Sequence, residues 1–253
     1  MHWKETLNSI PGCFGYEIRR LRTPFIALRH AGIRTVIDVG ANKGQFYRSA
    51  RKAFPGAAIH SFEPLPAAAG ILAEISKGDS LLHVHNFALG STDGEASFVV
   101  NSFSPSSSLL PLAQDHKAAF PFAQEQETIQ VRVRSLDSWA VDRPLQQSAF
   151  LKVDVQGFDA EVLRGAQTVL PRCAAVLIEA NFVDLYQGQS SLIEISELLG
   201  RHGLAFADLY HGPLDANRLP LFADVLFLAP RLAPAAPILK SEPRAVSSGD
   251  SGA

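Results

Sequence analysis

Apolar residues recur along this chain with two periods, about two in short β-branched runs and three to four between them, and the alternation of the two predicts the fold. Thr35-Val-Ile-Asp-Val39 reads as a strand buried on both faces of a parallel sheet. Residues 43–54 follow as a helix ended by Pro55-Gly56. Residues 57–63 form a second strand stopped by Pro64, residues 66–76 a second helix with Pro66 in its first turn, and residues 81–89 a third strand. This β-α-β-α-β order predicts a doubly wound, Rossmann-like α/β sheet.

Further along, residues 149–157 form a strand. Gly157 then opens a helix whose inner stripe is Phe158, Val162, Ala166 and Val169, with Asp159 and Glu161 in its first turn suited to the helix dipole. Residues 174–180 make another strand, and residues 190–199 a helix with a serine cap and a stop at Gly200. Strands over 204–210 and 221–228 are joined by a short loop, which permits only an antiparallel pair.

Two regions break the alternation. Residues 95–101 and 128–134 alternate as strands, and between them residues 102–126 are rich in Ser, Pro, Ala and Phe. A segment of that length inside a compact domain is expected to serve as a lid over the site, a surface loop being the alternative. At the amino end, Phe14, Ile18, Leu21, Phe25 and Leu28 recur at helical steps among Arg19, Arg20, Arg22 and Arg29, with a bend at Pro24. The expectation is a helix packed across a sheet edge or over the pocket, and the alternative is a helix for a membrane surface or a partner. The division is then a helical segment over 1–32, one domain over 33–229 with its insertion near 95–134, and a flexible Pro/Ser/Gly/Ala tail over 230–253.

Composition narrows the function. The 253 residues suit one large domain. A net charge of -2 gives no reason to expect nucleic acid as a partner. No apolar run spans a bilayer and no secretory pattern opens the chain, so the expected location is cytoplasmic, without a membrane span. Cys13 and Cys173 match no metal spacing and read as free thiols. Nothing in the pattern fixes an oligomeric state.

The chemistry gathers at the ends of the strands. Gly40 allows a tight turn after the first strand, Gly44 allows the next helix to lie close, and Asn42 tolerates a left-handed conformation between them. Glu63, with Pro64 fixing its loop, ends the second strand where an acid can accept hydrogen bonds from ribose hydroxyls. Asn86 and Ala88 are expected at the carboxyl end of the third strand, where ligands bind in such sheets. Asp38 would repel a pyrophosphate, and together with Asn42 it turns the reading from a nicotinamide dinucleotide towards S-adenosylmethionine, whose sulfonium and amino group are positive. Strand alternation puts Phe150, Lys152 and Asp154 on one face, so that a lysine and an aspartate support each other's ionisation near a strand end.

Several of these motifs, taken in order, resemble one family. Asp38-Val-Gly-Ala-Asn-Lys-Gly44, Phe62-Glu-Pro64, Asn86-Phe-Ala-Leu-Gly90, Ser107-Ser-Leu109, Ser135-Leu-Asp137 and Leu151-Lys-Val-Asp-Val-Gln-Gly157, the last followed by Glu161-Val-Leu-Arg-Gly-Ala166, are similar to the FkbM family of S-adenosylmethionine-dependent methyltransferases, from about residue 33 to 229. The resemblance implies five parallel strands closed by one reversed strand. It also implies methylation of hydroxyls on sugars, glycolipids, polysaccharide units or polyketides, so the acceptor is a small molecule or glycan. Asp154 is the first candidate for the base or for orienting the hydroxyl, with Lys152 anchoring it. Glu179 and Asn181 on the neighbouring strand end stand second, and Ser107 and Ser108 could reach a polyol from the lid.

A structural ion pair is the alternative for Asp154 with Lys152, and a structural acid the alternative for Glu179. Asp154, Glu179 and Asn181 are hard oxygen ligands, so a divalent metal is possible. It is not expected, because these are not the usual Asp-Asn pair of metal-dependent oxygen methyltransferases, and Gln156, where the family frequently has glutamate, removes a further charge; Asp159 departs from the same pattern but keeps the charge. His85, His116, His202 and His211 are dispersed, and His116 in the lid is the one to test as a base. The competing functions are a nicotinamide-dependent oxidoreductase using the same turn, and a non-catalytic assembly partner with a degenerate turn.

Overall fold

The computed structural model describes residues 24–232, apart from 121, 144, 146–147, 213 and 215–218. Cys13, residues 1–23 of the amino-terminal segment and most of the tail lie outside the described residues. In chain order the elements are α1 (Pro24–Leu28), β1 (Thr35–Val39), α2 (Gln45–Ala53), β2 (Ala58–Phe62), α3 (Pro66–Ser76), β3 (Leu82–His85), β4 (Ala88–Leu89) and β5 (Gly94–Asn101). There follow α4 (Gln114–Ala119), β6 (Glu125–Arg134), α5 (Leu136–Ala140), β7 (Ala149–Val153), α6 (Asp159–Arg164), β8 (Cys173–Asn181), α7 (Leu192–Gly200), β9 (Ala205–His211) and β10 (Phe222–Leu228).

Seven strands form one sheet in the order β3-β2-β1-β7-β8-β10-β9. The strands from β3 to β8 are parallel to their neighbours, and β10 runs antiparallel to both β8 and β9. The doubly wound, mostly parallel sheet with an antiparallel last strand is the fold expected from the sequence. One detail differs: β10 does not close the edge but inserts between β8 and β9, so six strands share one direction. The β9–β10 connection allows this, because a hairpin partner can pair on either of its sides.

Strand periodicity divides the core in two. Ile37, Val39, Leu151, Val153, Val176 and Ile178 face α5, α6 and α7, whereas Val36, Phe150, Ala175 and Leu177 face Leu28, Tyr47, Ala50 and Phe54. In α1, Phe25 packs its ring against Phe46, Phe54 and Phe150, so this part of the amino-terminal segment does lie on the sheet.

The expected third strand over 81–89 is two strands. Its first part, β3, pairs with β2, and its second part, β4, crosses to a three-stranded sheet ordered β4-β6-β5. The break falls at Asn86, whose side-chain amide donates to the carbonyls of Glu63 (2.9 Å) and Pro64 (3.0 Å) and pulls the chain off the sheet edge. Both alternating stretches are strands, and β5 and β6 pair antiparallel. The segment between them is ordered by a 3-10 turn at Ser104–Ser106 and by α4. Helix α6 has six residues, with Asp159 and Glu161 in its first turn as expected, and Asp159 is buried there. Among the described residues no helix is long and apolar enough to cross a membrane.

Candidate functional site

Register places the charged residues of separate strands in rows. Asp38 on β1 is paired with Ser61 on β2 and with Lys152 on β7, and all three side chains point to one face. The Lys152 ammonium lies 3.5 Å from Asp38 Oδ1 and 3.2 Å from Asp154 Oδ2, and donates to the carbonyl oxygens of Gly40 (3.0 Å) and Val39 (3.3 Å). Asp38 is wholly buried, and Ser61 Oγ donates to its other oxygen at 3.4 Å. Burial works against the charge of Lys152, but Asp154 and Asp38 outweigh it and hold the ammonium protonated above its ordinary value. Burial likewise raises Asp38, with Lys152 opposing.

One row further on, Asp154 follows β7, Glu179 lies near the end of β8, and Asp224 pairs with Glu179 across β10. Between them lies Gln156. Its side-chain amide donates to Asp154 Oδ1 (2.6 Å) and Glu179 Oε1 (2.8 Å), and its oxygen accepts from the Tyr186 hydroxyl (2.5 Å). Glu179 is pushed well up by burial and then by Asp154 and Asp224. Asp224 is open to solvent within the cavity yet crowded by protein on its other sides; that desolvation and Asp154 bring it to about 6.

Two adjoining cavities share this wall. The inner cavity, about 50 Å³, is lined by Gly40, Asn42, Glu63, Pro64, Ala88 and Asp154 and walled by Phe62, Leu65, Phe87, Leu89 and Phe98. The outer cavity, about 500 Å³ and open at its mouth, is lined by Lys152, Asp154, Gln156, Glu179, His116 and Asp224, with several aromatic rings. Asn42, Pro105, Asp154 and Gln156 belong to both.

The turn after β1 has the conformations its residues allow: Gly40, Asn42 and Gly44 all have positive φ, at 74°, 45° and 81°. Gly40 is also a close approach, since a Cβ there would sit 1.9 Å from the Asp154 carbonyl oxygen. Both carboxylate oxygens of Glu63 are held by backbone amides, of Asn42 at 2.8 Å and of Leu65 at 2.9 Å. Burial raises Glu63 and these two bonds oppose it. The Asn42 side-chain oxygen is buried without a hydrogen-bond partner.

Of the residues singled out in the sequence, Gly40, Asn42, Glu63, Pro64, Ala88 and Asp154 meet in the inner cavity, and Lys152, Asp154 and Glu179 in the outer one. Asp38, Gly44 and Asn86 line neither: Asp38 is seated under the turn, Gly44 lies against Leu72, and Asn86 holds the Glu63–Pro64 backbone. Ser107 lines the inner cavity, but Ser108 donates to the carbonyl of Gln156 (2.9 Å) and ties the 102–126 segment to the 154–157 turn instead of reaching outward. Asn181 donates to Gln189 and lines neither cavity. Among the described residues no three His, Cys, Asp or Glu side chains are grouped as metal ligands. Asp159 accepts from the amides of Val155 and Gly157, and burial, then Asp154, brings it to about 7.

His116 is buried in the wall of the outer cavity, its Nδ1 without a partner, and burial keeps it neutral. His85 stacks with His60 beside Trp139 in a separate cleft, and His202 bonds to Gln167. The side chain of His211 is outside what is described. Cys173 is a buried free thiol pushed up by burial to about 12. Three site residues escaped the sequence reading in these roles. Asp224 carried a signal, being a lone acid in the apolar strand Phe-Ala-Asp-Val-Leu. Gln156 was visible only as a departure from a pattern, and Tyr186 not at all.

Residues 38–206 match the methyltransferase FkbM domain. The chain is 25% identical over 170 residues to the 2-O-methyltransferase NoeI of Sinorhizobium fredii, covering 65% of this chain and 70% of that protein. It is 28% identical over 143 residues to Methyltransferase 1 of Beauveria bassiana, covering 51% of this chain and 57% of that one, a little over half of that relative's length. A solved structure similar to it is magnesium protoporphyrin IX methyltransferase from Synechocystis PCC 6803 with bound SAM, at TM-score 0.43 and 10% identity over 89% of this chain and 79% of that one.

Proposed function

The chain belongs to the FkbM methyltransferase family and is an S-adenosylmethionine-dependent methyltransferase, and we propose that it methylates a hydroxyl oxygen of a sugar, glycolipid, polysaccharide unit or related natural product. The inner cavity is read as the cofactor site and the outer as the acceptor site. The observation that carries this is Asp154, a carboxylate on the wall common to both. A relative named as a 2-O-methyltransferase supports oxygen as the acceptor atom.

The residues present fit the cofactor. Glu63 is locked in one orientation by two amides, and each of its oxygens keeps a lone pair for a ribose hydroxyl. Phe62, Leu65, Phe87, Leu89 and Phe98 wall a slot suited to a flat purine, and the unpartnered Asn42 oxygen can accept from a ligand amine. S-adenosylmethionine supplies an electrophilic methyl group on a positively charged sulfur.

The chain's own residues do the rest. Asp154 accepts the hydrogen bond of the acceptor hydroxyl, orients its oxygen and takes up its proton as the bond to carbon forms. Lys152 and Gln156 hold one oxygen each of Asp154 and so fix its direction. The Lys152 ammonium stays charged between Asp38 and Asp154, so it positions and does not act as a base. The segment over 102–126 contributes Pro105 to the wall of both cavities and is tied to the 154–157 turn by Ser108. A second reading gives the proton to His116, a neutral imidazole in the wall of the same cavity whose buried Nδ1 has no partner.

Calorimetric titration with S-adenosylhomocysteine, with NADH as a control and EDTA in a parallel run, tests the cofactor. Binding of the homocysteine compound alone is expected, and binding of NADH alone, or of neither, removes the cofactor reading. Asp154→Asn is then expected to lower turnover by about 10²- to 10⁴-fold while cofactor affinity holds. Retained turnover there, with the loss appearing in His116→Asn, would move the base to His116.

A further inference from the structure

The outer cavity joins a polar, acidic floor to an apolar rim. On the floor stand Asp154, Glu179 and Asp224; the lining lysine, Lys152, already faces Asp38 and Asp154, and among the described lining residues there is no arginine. The rim is aromatic. Phe103 and Phe122 line the mouth yet are 44% and 60% exposed, their rings edge to face at 5.4 Å, and Phe120 continues the row at 6.0 Å from Phe122. Two large aromatic rings left in water side by side, continuous with a ligand cavity, are an apolar surface awaiting a ligand rather than part of the core.

From this geometry we infer that the acceptor is an uncharged or cationic amphiphile: its hydroxyl-bearing head enters the acidic floor, and an alkyl or similarly apolar body lies across Phe103 and Phe122. Sugar phosphates, nucleoside diphosphate sugars and sugar acids are rejected, because a further anion would be brought against Asp154 and Asp224 with no free cation to receive it. The inference rests on the outer cavity being the acceptor site. It adds to that reading what the non-reacting part of the acceptor must be.

The test is binding of n-alkyl β-D-glucosides from methyl to octyl, below their micelle concentrations, to the full chain, with octyl β-D-glucuronide as the anionic match. On the wild-type chain each methylene should tighten binding about two- to fourfold, and the glucuronide should bind at least about tenfold more weakly than the octyl glucoside. In Phe103→Ser/Phe122→Ser the dependence on chain length should flatten, whereas Phe206→Ser, at an exposed ring on β9 away from the cavity, should leave it unchanged. Asp224→Asn should narrow the discrimination against the glucuronide. A flat series on the wild-type chain, a series that survives loss of both rim rings, or tight glucuronide binding would each overturn the inference. S-adenosylhomocysteine is titrated into the same samples: its failure to bind beside a normal alkyl series would count against the methyltransferase site alone.

Discussion

At the scale of single residues, the site depends on buried charges that satisfy one another. Asp38 is wholly enclosed and Lys152 is its counter-ion, so removing the lysine leaves Asp38 unpaired under the turn and Asp154 without its anchor. Lys152→Met is expected to cost about 3 to 5 kcal/mol, the scale for breaking a buried pair, which for a chain of this size is about 2 to 4 °C of melting temperature per kcal/mol. Adding Asp38→Asn should recover much of that loss; thermal denaturation of the single and double variants checks it, and an unchanged midpoint in the single variant would refute the pairing. Glu63 is different, because its oxygens serve the turn and face the cavity at once. Glu63→Gln keeps the side chain's shape, so it should weaken S-adenosylhomocysteine binding by roughly 1 to 3 kcal/mol with a smaller effect on melting. Glu63 and Asp154 were legible from the sequence because an acid ending an apolar strand is conspicuous. The neighbours that hold Asp154 were not all so. Strand alternation alone places Lys152 beside it, but the pairing with Asp38 follows from register between strands more than a hundred residues apart, and Gln156 gains its place from a backbone turn that no side-chain pattern announces.

At the scale of elements, the stretch from Asp154 to Asp159 shows how a strand end becomes a site. Gln156 and Gly157 have φ of 58° and 91°, which reverses the chain and turns the Gln156 amide back between two carboxylates. Asp159 closes the turn by accepting from the amides of Val155 and Gly157, and it does so from a buried position that brings it to about 7. Between its ordinary value of 3.8 and about 7 the folded chain keeps a proton on this carboxyl that the unfolded chain has released. Its contribution to stability is therefore complete at low pH and is lost as pH rises through about 7, by at most about 4 kcal/mol. Melting temperatures from pH 5 to 8 should show this slope, and Asp159→Asn should flatten it; a slope left intact in the variant would place the titration elsewhere. The helix itself, like α2, α3 and α7, was legible from its apolar period and its glycine, proline and serine signals. The split of β3 from β4 was not, because the carbonyls that capture the Asn86 amide belong to Glu63 and Pro64, 23 and 22 residues earlier.

At the scale of the whole molecule, the inner cavity is where the two sheets meet. Gly40 and Glu63 come from the turn and loop after β1 and β2 in the seven-stranded sheet, while Leu89 and Phe98 come from the three-stranded one, with Ser104, Pro105 and Ser107 from the segment between its strands. A ligand that fills this space touches both sheets at once, so part of its binding energy must appear as stabilisation of one sheet against the other. Saturation with S-adenosylhomocysteine at about a hundred times its dissociation constant should raise stability by about 2.7 kcal/mol. The gain should be uneven. Hydrogen exchange should slow most over residues 98–110 and around 40–44 and 63–65, and least in β9, which lies at the far sheet edge and contributes nothing to the cavity. If instead β9 were protected as strongly as residues 98–110, the ligand would be acting through global stability alone, and the small sheet would be a passenger rather than a wall of the site. The predicted asymmetry follows from topology: β5 and β6 join the main sheet through β4 and the loops, without strand pairing, so the packing across this cavity is a large part of what fixes them there.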